Sequence, residues 1–100
     1  MQNIKLAAVS MNGGLGQMEQ SLNRIDEYCE KAAAQDVDLI LFPELVVHGH
    51  CTPNTWEVAE PVPNGPSTER LVQIAARHGL FLSAGMSEKE DDLVYNTQVL

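Results

Sequence analysis

The segment Val37-Asp-Leu-Ile-Leu-Phe42 is followed at once by Pro43 and Glu44, and then by the apolar Leu45, Val46 and Val47. This segment restricts the fold more than any other part of the chain. A nearly continuous apolar run this short reads as a strand buried on both faces, which requires a sheet covered by other layers. Proline has no N–H to give to a sheet ladder, so regular pairing is expected to stop there. Glu44 therefore leaves the sheet at the C-terminal end of a strand, the edge where open α/β sheets present their ligand sites. Apolar neighbours on both sides disfavour a charged carboxylate, so a raised pKa is expected for Glu44, as suits a general base working near neutral pH. The plainer alternative is a glutamate that caps or salt-bridges at a strand end.

The rest of the chain supplies the layers. Ile4–Met11 is a short apolar run expected as a strand, and Asn12-Gly-Gly-Leu-Gly16 a loop. From Gln17 to Gln35 the apolar positions Met18, Leu22, Ile25, Cys29 and Ala32 recur at helical spacing, with Glu19, Asn23, Glu27, Glu30 and Lys31 opposite. Val47–Pro66, rich in Pro, His, Asn and Thr, predicts a long loop with a helical turn near Thr55–Ala59. A second helix is bounded by Pro66 at its first position and Gly79 just past its end, with Leu71, Ile74, Ala75 and His78 on one face. Phe81–Met86 predicts a third strand, Glu88-Lys-Glu-Asp-Asp92 a charged turn, and Leu93–Leu100 a fourth strand. The order strand, helix, strand, loop, helix, strand, strand predicts an α/β layered fold. The last strand is still apolar at Leu100, so residues 1–100 are expected to be the N-terminal part of one domain that continues further.

Composition narrows the partners. A net charge of −8 argues against nucleic acid, which requires clustered Lys and Arg, and against anchoring on anionic membranes. No apolar run approaches the roughly 18 residues of a membrane span. The N-terminus makes a poor signal peptide, and two cysteines, Cys29 and Cys51, build no disulfide framework, so a cytoplasmic location is expected.

Three other motifs compete for a function. The Asn12–Gly16 loop between a strand and a helix resembles a nucleotide-binding turn, but Glu19 stands where the third glycine of G-x-G-x-x-G belongs and would oppose a phosphate. His48, His50 and Cys51 lie within four residues, and with Glu44 they could form a zinc site, although the spacing matches no familiar pattern. A Cys51–His pair would be a nucleophile and base, a geometry that adjacent residues rarely achieve. Cys29, on the apolar helical face, reads as a packed thiol.

Taken in order, the strand KLAAVSM, the segment EKAAAQDVDLILFPEL, the segment VPNGPSTERLVQIAARHGLFLSAG and the strand VYNTQVL resemble the N-terminal part of the carbon–nitrogen hydrolase (nitrilase and amidase) superfamily. The resemblance covers essentially the whole chain. It implies an α-β-β-α sandwich of the nitrilase type, often paired into a homodimer. It also implies hydrolysis of a C–N bond in a small-molecule amide, carbamoyl compound or nitrile, with no metal or organic cofactor. In that family a Glu is the general base, a Lys stabilises the transition state and a Cys is the nucleophile. Only Glu44 matches one of the three. The Lys is expected beyond the YNT strand, hence beyond Leu100, and Lys89 precedes that strand. The Cys is expected later still, so neither Cys29 nor Cys51 holds its position, and the 100 residues alone are expected to be inactive. Asn96 matches a position commonly filled by Asn and reads as structural. After the base, His48-Gly-His-Cys51 replaces a more usual Gly-Tyr type of sequence, which leaves the substrate unspecified. A nucleotide-binding module using the glycine loop and a non-catalytic domain that keeps the fold are the alternatives.

Overall fold

The computed structural model describes residues 3–50 and 52–100. Along the chain run β1 (Leu6–Ala8), α1 (Met18–Ala33), β2 (Leu39–Leu41), α2 (Thr55–Val58), α3 (Pro66–His78), β3 (Phe81–Glu90) and β4 (Leu93–Val99). The strands form one sheet in the order β1-β2-β3-β4. β1, β2 and β3 are parallel, and β4 returns antiparallel along β3. Each parallel connection carries a helix, because parallel neighbours cannot be joined by a tight turn.

Both helices form where apolar residues repeat at helical spacing, and both bury that stripe against the same side of the sheet. Leu22, Ile25, Cys29 and Ala32 of α1 and Leu71 and Ile74 of α3 are in the core, together with Ile40, Phe42, Leu82, Ala84 and Met86. Burying one such aliphatic side chain contributes about 1.5–3 kcal/mol. Pro66 opens α3 and Gly79 closes it in the left-handed conformation, at φ 66°. A polar clasp joins the helices: His78 Nε2 lies 2.7 Å from Asp26 Oδ1, and Arg77 donates to Asp26 Oδ2 at 3.0 Å. The His78 hydrogen bond, with help from the Arg77 charge, outweighs partial burial and holds the Asp26 carboxyl below its ordinary range.

The opposite face of the sheet is apolar and open. Leu6, Leu39 and Phe81 sit side by side in register, and Leu6 and Phe81 are 55% and 70% exposed. The expectation of a β2 strand buried on both faces is therefore corrected for the described residues, since Leu41 is 38% exposed. The apolar run reports which side chains can be covered, and one helical layer covers only one side. The α/β class and the element order hold. The described chain is one helical layer on one sheet, part of an α-β-β-α sandwich of the nitrilase type.

Strand limits also differ from expectation. β1 and β2 each keep three ladder residues, whereas β3 runs on to Glu90. Glu88, Lys89 and Glu90 pair with Tyr95, Val94 and Leu93, so the charged turn shrinks to Asp91 and Asp92, with Asp91 at φ 52°. At this far end a hairpin partner and a bridge to Glu60 hold the strand, and charged side chains there reach water.

Candidate active site

The turn after β2 is built by alternating attachment. Phe42 N–H donates to Ser83 O at 2.8 Å, and Gly85 N–H donates to Pro43 O at 3.3 Å, so Pro43 still accepts from β3 although it cannot donate. Val46 N–H then turns back to Pro43 O, and Val47 N–H reaches Gly85 O at 3.1 Å. Leu45 takes the left-handed conformation at φ 53°, which swings Val46 and Val47 into the core, where they are 2% and 0% exposed. The apolar residues after Glu44 thus pin the turn to the core. They do not shelter the carboxylate, whose side chain is 58% exposed.

Glu44 stands on a cleft of about 410 Å³ lined also by Met11, Asn12, Gly13, Leu15, Pro43, Leu45 and His50. Both of its oxygens are engaged. Asn96 Nδ2, from β4, donates to Oε1, and His50 Nε2 lies 3.0 Å from Oε2. The hydrogen bond with His50, followed by that from Asn96, holds the Glu44 carboxyl below its ordinary range. The expected upward shift is therefore corrected. Of its apolar neighbours along the chain, Val46 and Val47 turn into the core while Pro43 and Leu45 line the cleft, and the groups on its two oxygens, His50 and Asn96, favour the charged form.

His48, two residues before His50, turns the other way. It is 1% exposed, with Nε2 2.6 Å from Glu60 Oε2, and its Nδ1 accepts the Ser87 backbone N–H at 3.0 Å. An acceptor at Nδ1 fixes the neutral ring with the proton on Nε2, which donates to the carboxylate. Glu60 also receives the Ser67 backbone N–H at 2.7 Å and the Ser67 hydroxyl. Ser67 lies in the first turn of α3, where a carboxylate satisfies an otherwise free donor and faces the positive end of the helix. Burial pushes the Glu60 carboxyl up, but the His48 and Ser67 donors together outweigh it and hold it below its ordinary value. This network ties the Pro43–His50 turn to α3 and to β3. Sequence reasoning missed Glu60; an acidic residue shortly before a Pro-initiated helix was the available signal.

The glycine loop has a structural task. A Cβ on Gly13 would lie 2.3 Å from Val46 O, and one on Gly49, itself at φ 90°, would lie 2.9 Å from Gly14 O and from Leu15 Cα. Gly16 N–H donates to His48 O at 2.8 Å. The Asn12–Gly16 loop and the turn carrying Glu44 therefore pack backbone against backbone, and the glycines make that approach possible. The two histidines of the zinc alternative diverge: His48 faces the core against Glu60, and His50 faces the cleft beside Glu44. Cys51, which that reading and the Cys–His pairing invoked, lies outside the described residues.

The carbon-nitrogen hydrolase family model matches residues 5–100. The chain belongs to the carbon-nitrogen hydrolase family. It is 28% identical over 100 residues to a nitrilase of Pyrococcus abyssi, covering 97% of this chain and 38% of that protein. It is 35% identical over 79 residues to an omega-amidase of Xenopus tropicalis, covering 78% of this chain and 28% of that one. Among solved structures, an amidase from Nesterenkonia sp. superposes with a TM-score of 0.79 at 21% identity, over 95% of this chain and 36% of the amidase. A glutamine-dependent NAD(+) synthetase from Cytophaga hutchinsonii shares the fold with a TM-score of 0.74 at 20% identity, over 95% of this chain and 16% of that one. The chain thus spans less than two fifths of the length of these relatives.

Within this carbon-nitrogen hydrolase chain, Cys29 is no candidate nucleophile: it is fully buried, and burial pushes its thiol up to about 12. Lys89 sits at the far end of β3, where its Nζ reaches Trp56 O at 3.4 Å. Among the described residues, no helix is long and apolar enough to cross a membrane.

Proposed function

We propose that the protein hydrolyses the C–N bond of a small amide, carbamoyl compound or nitrile, with Glu44 as its general base. The observation that carries this reading is the placement of Glu44: an exposed, doubly hydrogen-bonded carboxylate at the C-terminal end of β2, on a cleft, in a chain of this family. A carboxylate held ionised can take the proton of an attacking thiol and later that of a water that releases the acyl group. In this reading, as the family resemblance implies, neither Lys89, which reaches Trp56 O, nor the buried Cys29 supplies the Lys or the nucleophilic Cys of such a mechanism.

Ammonia release from a panel of a short aliphatic amide, an N-carbamoyl amino acid and an aliphatic nitrile tests the assignment. Glu44→Gln should leave the fold intact by circular dichroism and lower kcat by roughly 10²- to 10⁴-fold, the usual contribution of a positioned base. A variant as active as the parent would exclude Glu44 from the chemistry and favour a domain that keeps the fold without it.

A further inference from the structure

Two residues six apart in sequence, Glu44 and His50, meet across the cleft, with His50 Nε2 3.0 Å from Glu44 Oε2. A surface histidine beside a carboxylate is common, so the question is whether the backbone holds it there. Gly49 is fixed by its N–H to Leu45 O at 2.8 Å and by its contact with Gly14 and Leu15. His48, one residue earlier, is buried against Glu60 and Ser87. On the far side, the Thr52 hydroxyl binds His48 O at 2.7 Å and Gly49 O at 2.9 Å. The described residues on both sides of residue 50 are therefore anchored, and the His50 side chain faces the cleft.

Among the described residues that line the cleft, Glu44 and His50 are the only titratable ones; Met11, Asn12, Gly13, Leu15, Pro43 and Leu45 carry no charge. From β4 the neighbour is the uncharged Asn96. A carboxylate with a donor on each oxygen cannot rotate freely, and donors to the charged form keep it ionised.

We propose that His50 is a positioning residue for Glu44: its Nε2–H holds Oε2, and with Asn96 on Oε1 it keeps the carboxylate ionised and fixed in orientation on the cleft. This rests on the assignment of Glu44 as the base. Histidine at this place trades some base strength for a carboxylate that is ready and aimed.

The test follows the Glu44 side-chain carboxyl by carbon-13 NMR in the full protein, with its signal identified by its loss in Glu44→Gln. Titration of His50→Leu should move the Glu44 midpoint upward, because a donor to the charged form is gone. His50→Gln keeps an N–H donor and should move it less. The acid limb of kcat/KM on the responsive member of the amide, carbamoyl and nitrile panel should move in the same direction. A merely structural role would reduce the amount of active protein without moving either midpoint. An unchanged Glu44 midpoint in His50→Leu overturns the proposal. The two readings fail separately. Full activity in Glu44→Gln removes the base assignment and the catalytic purpose proposed for His50. Loss of activity in Glu44→Gln with an unmoved midpoint in His50→Leu removes the positioning role alone.

Discussion

Replacing Glu60 by alanine takes the acceptor away from three buried donors: His48 Nε2–H at 2.6 Å, the Ser67 backbone N–H at 2.7 Å and the Ser67 hydroxyl. Each buried donor left without a partner costs roughly 1–3 kcal/mol. The Ser67 hydroxyl can rotate toward another acceptor, and water can enter the space left by the side chain, so the full sum is not reached. A loss of about 3–5 kcal/mol is expected, similar to that of breaking a buried pair by removing one partner. Against the roughly 5–15 kcal/mol that holds a domain together, this is severe. Glu60→Gln keeps one acceptor oxygen but aims an amide N–H₂ at the other donors, and should cost about 1–2 kcal/mol. Urea unfolding followed by circular dichroism gives both numbers, as lower midpoints with unchanged slope. The same network makes a prediction in pH. The folded Glu60 carboxyl lies below its ordinary value, so its contribution is present above the unfolded range near about 4.3 and is lost as pH falls through the folded value. Wild type should therefore lose more stability than Glu60→Gln between about pH 6 and about pH 3. A cost below about 1 kcal/mol for Glu60→Ala would refute the reasoning, since it would mean that the three donors find other partners readily.

The clasp between α1 and α3 predicts a second acid dependence. Asp26 is also held below its ordinary range, so its stabilisation is present above about 3.9 and lost as pH falls through the folded value; Asp26→Asn should cost about 1–2 kcal/mol near neutrality and converge with wild type in acid, as read from urea midpoints across pH. Cys29, with its thiol pushed up to about 12 and no exposure, should resist a thiol reagent in the native protein and react in urea. Peptide mapping by mass spectrometry places the label, and native labelling at Cys29 would contradict the packing described for α1.

The helices were the most legible part of the chain. Met18, Leu22, Ile25, Cys29 and Ala32 mark the inner side of α1, and Pro66 and Gly79 bracket α3 as the structure has it. Both signals are local, since helical spacing and end residues depend on nearby sequence. The strands were legible in number and order but not in length. Glu88, Lys89 and Glu90 have the composition of a turn, yet they pair with β4 because a partner strand and open water on their sides were present. Glu44, which the structure puts on a cleft, was legible as a candidate from its place after an apolar strand and before Val46 and Val47. Its surroundings were not, because Asn96 lies 52 residues away in sequence.

The sequence by itself determined the two long helices and their apolar sides, the number and order of the strands, and that a carboxylate emerges at the C-terminal end of β2. Only the tertiary structure decided what surrounds that carboxylate. His48 and His50 are the same residue type two positions apart, and no local rule distinguishes them. Gly49 at φ 90° turns the chain so that one ring goes to the core and the other to the cleft. A pKa depends on the groups and water around a side chain in space. The apolar neighbours of Glu44 in the chain predicted a raised value, whereas His50 and Asn96, brought to it by the turn and by β4, lower it.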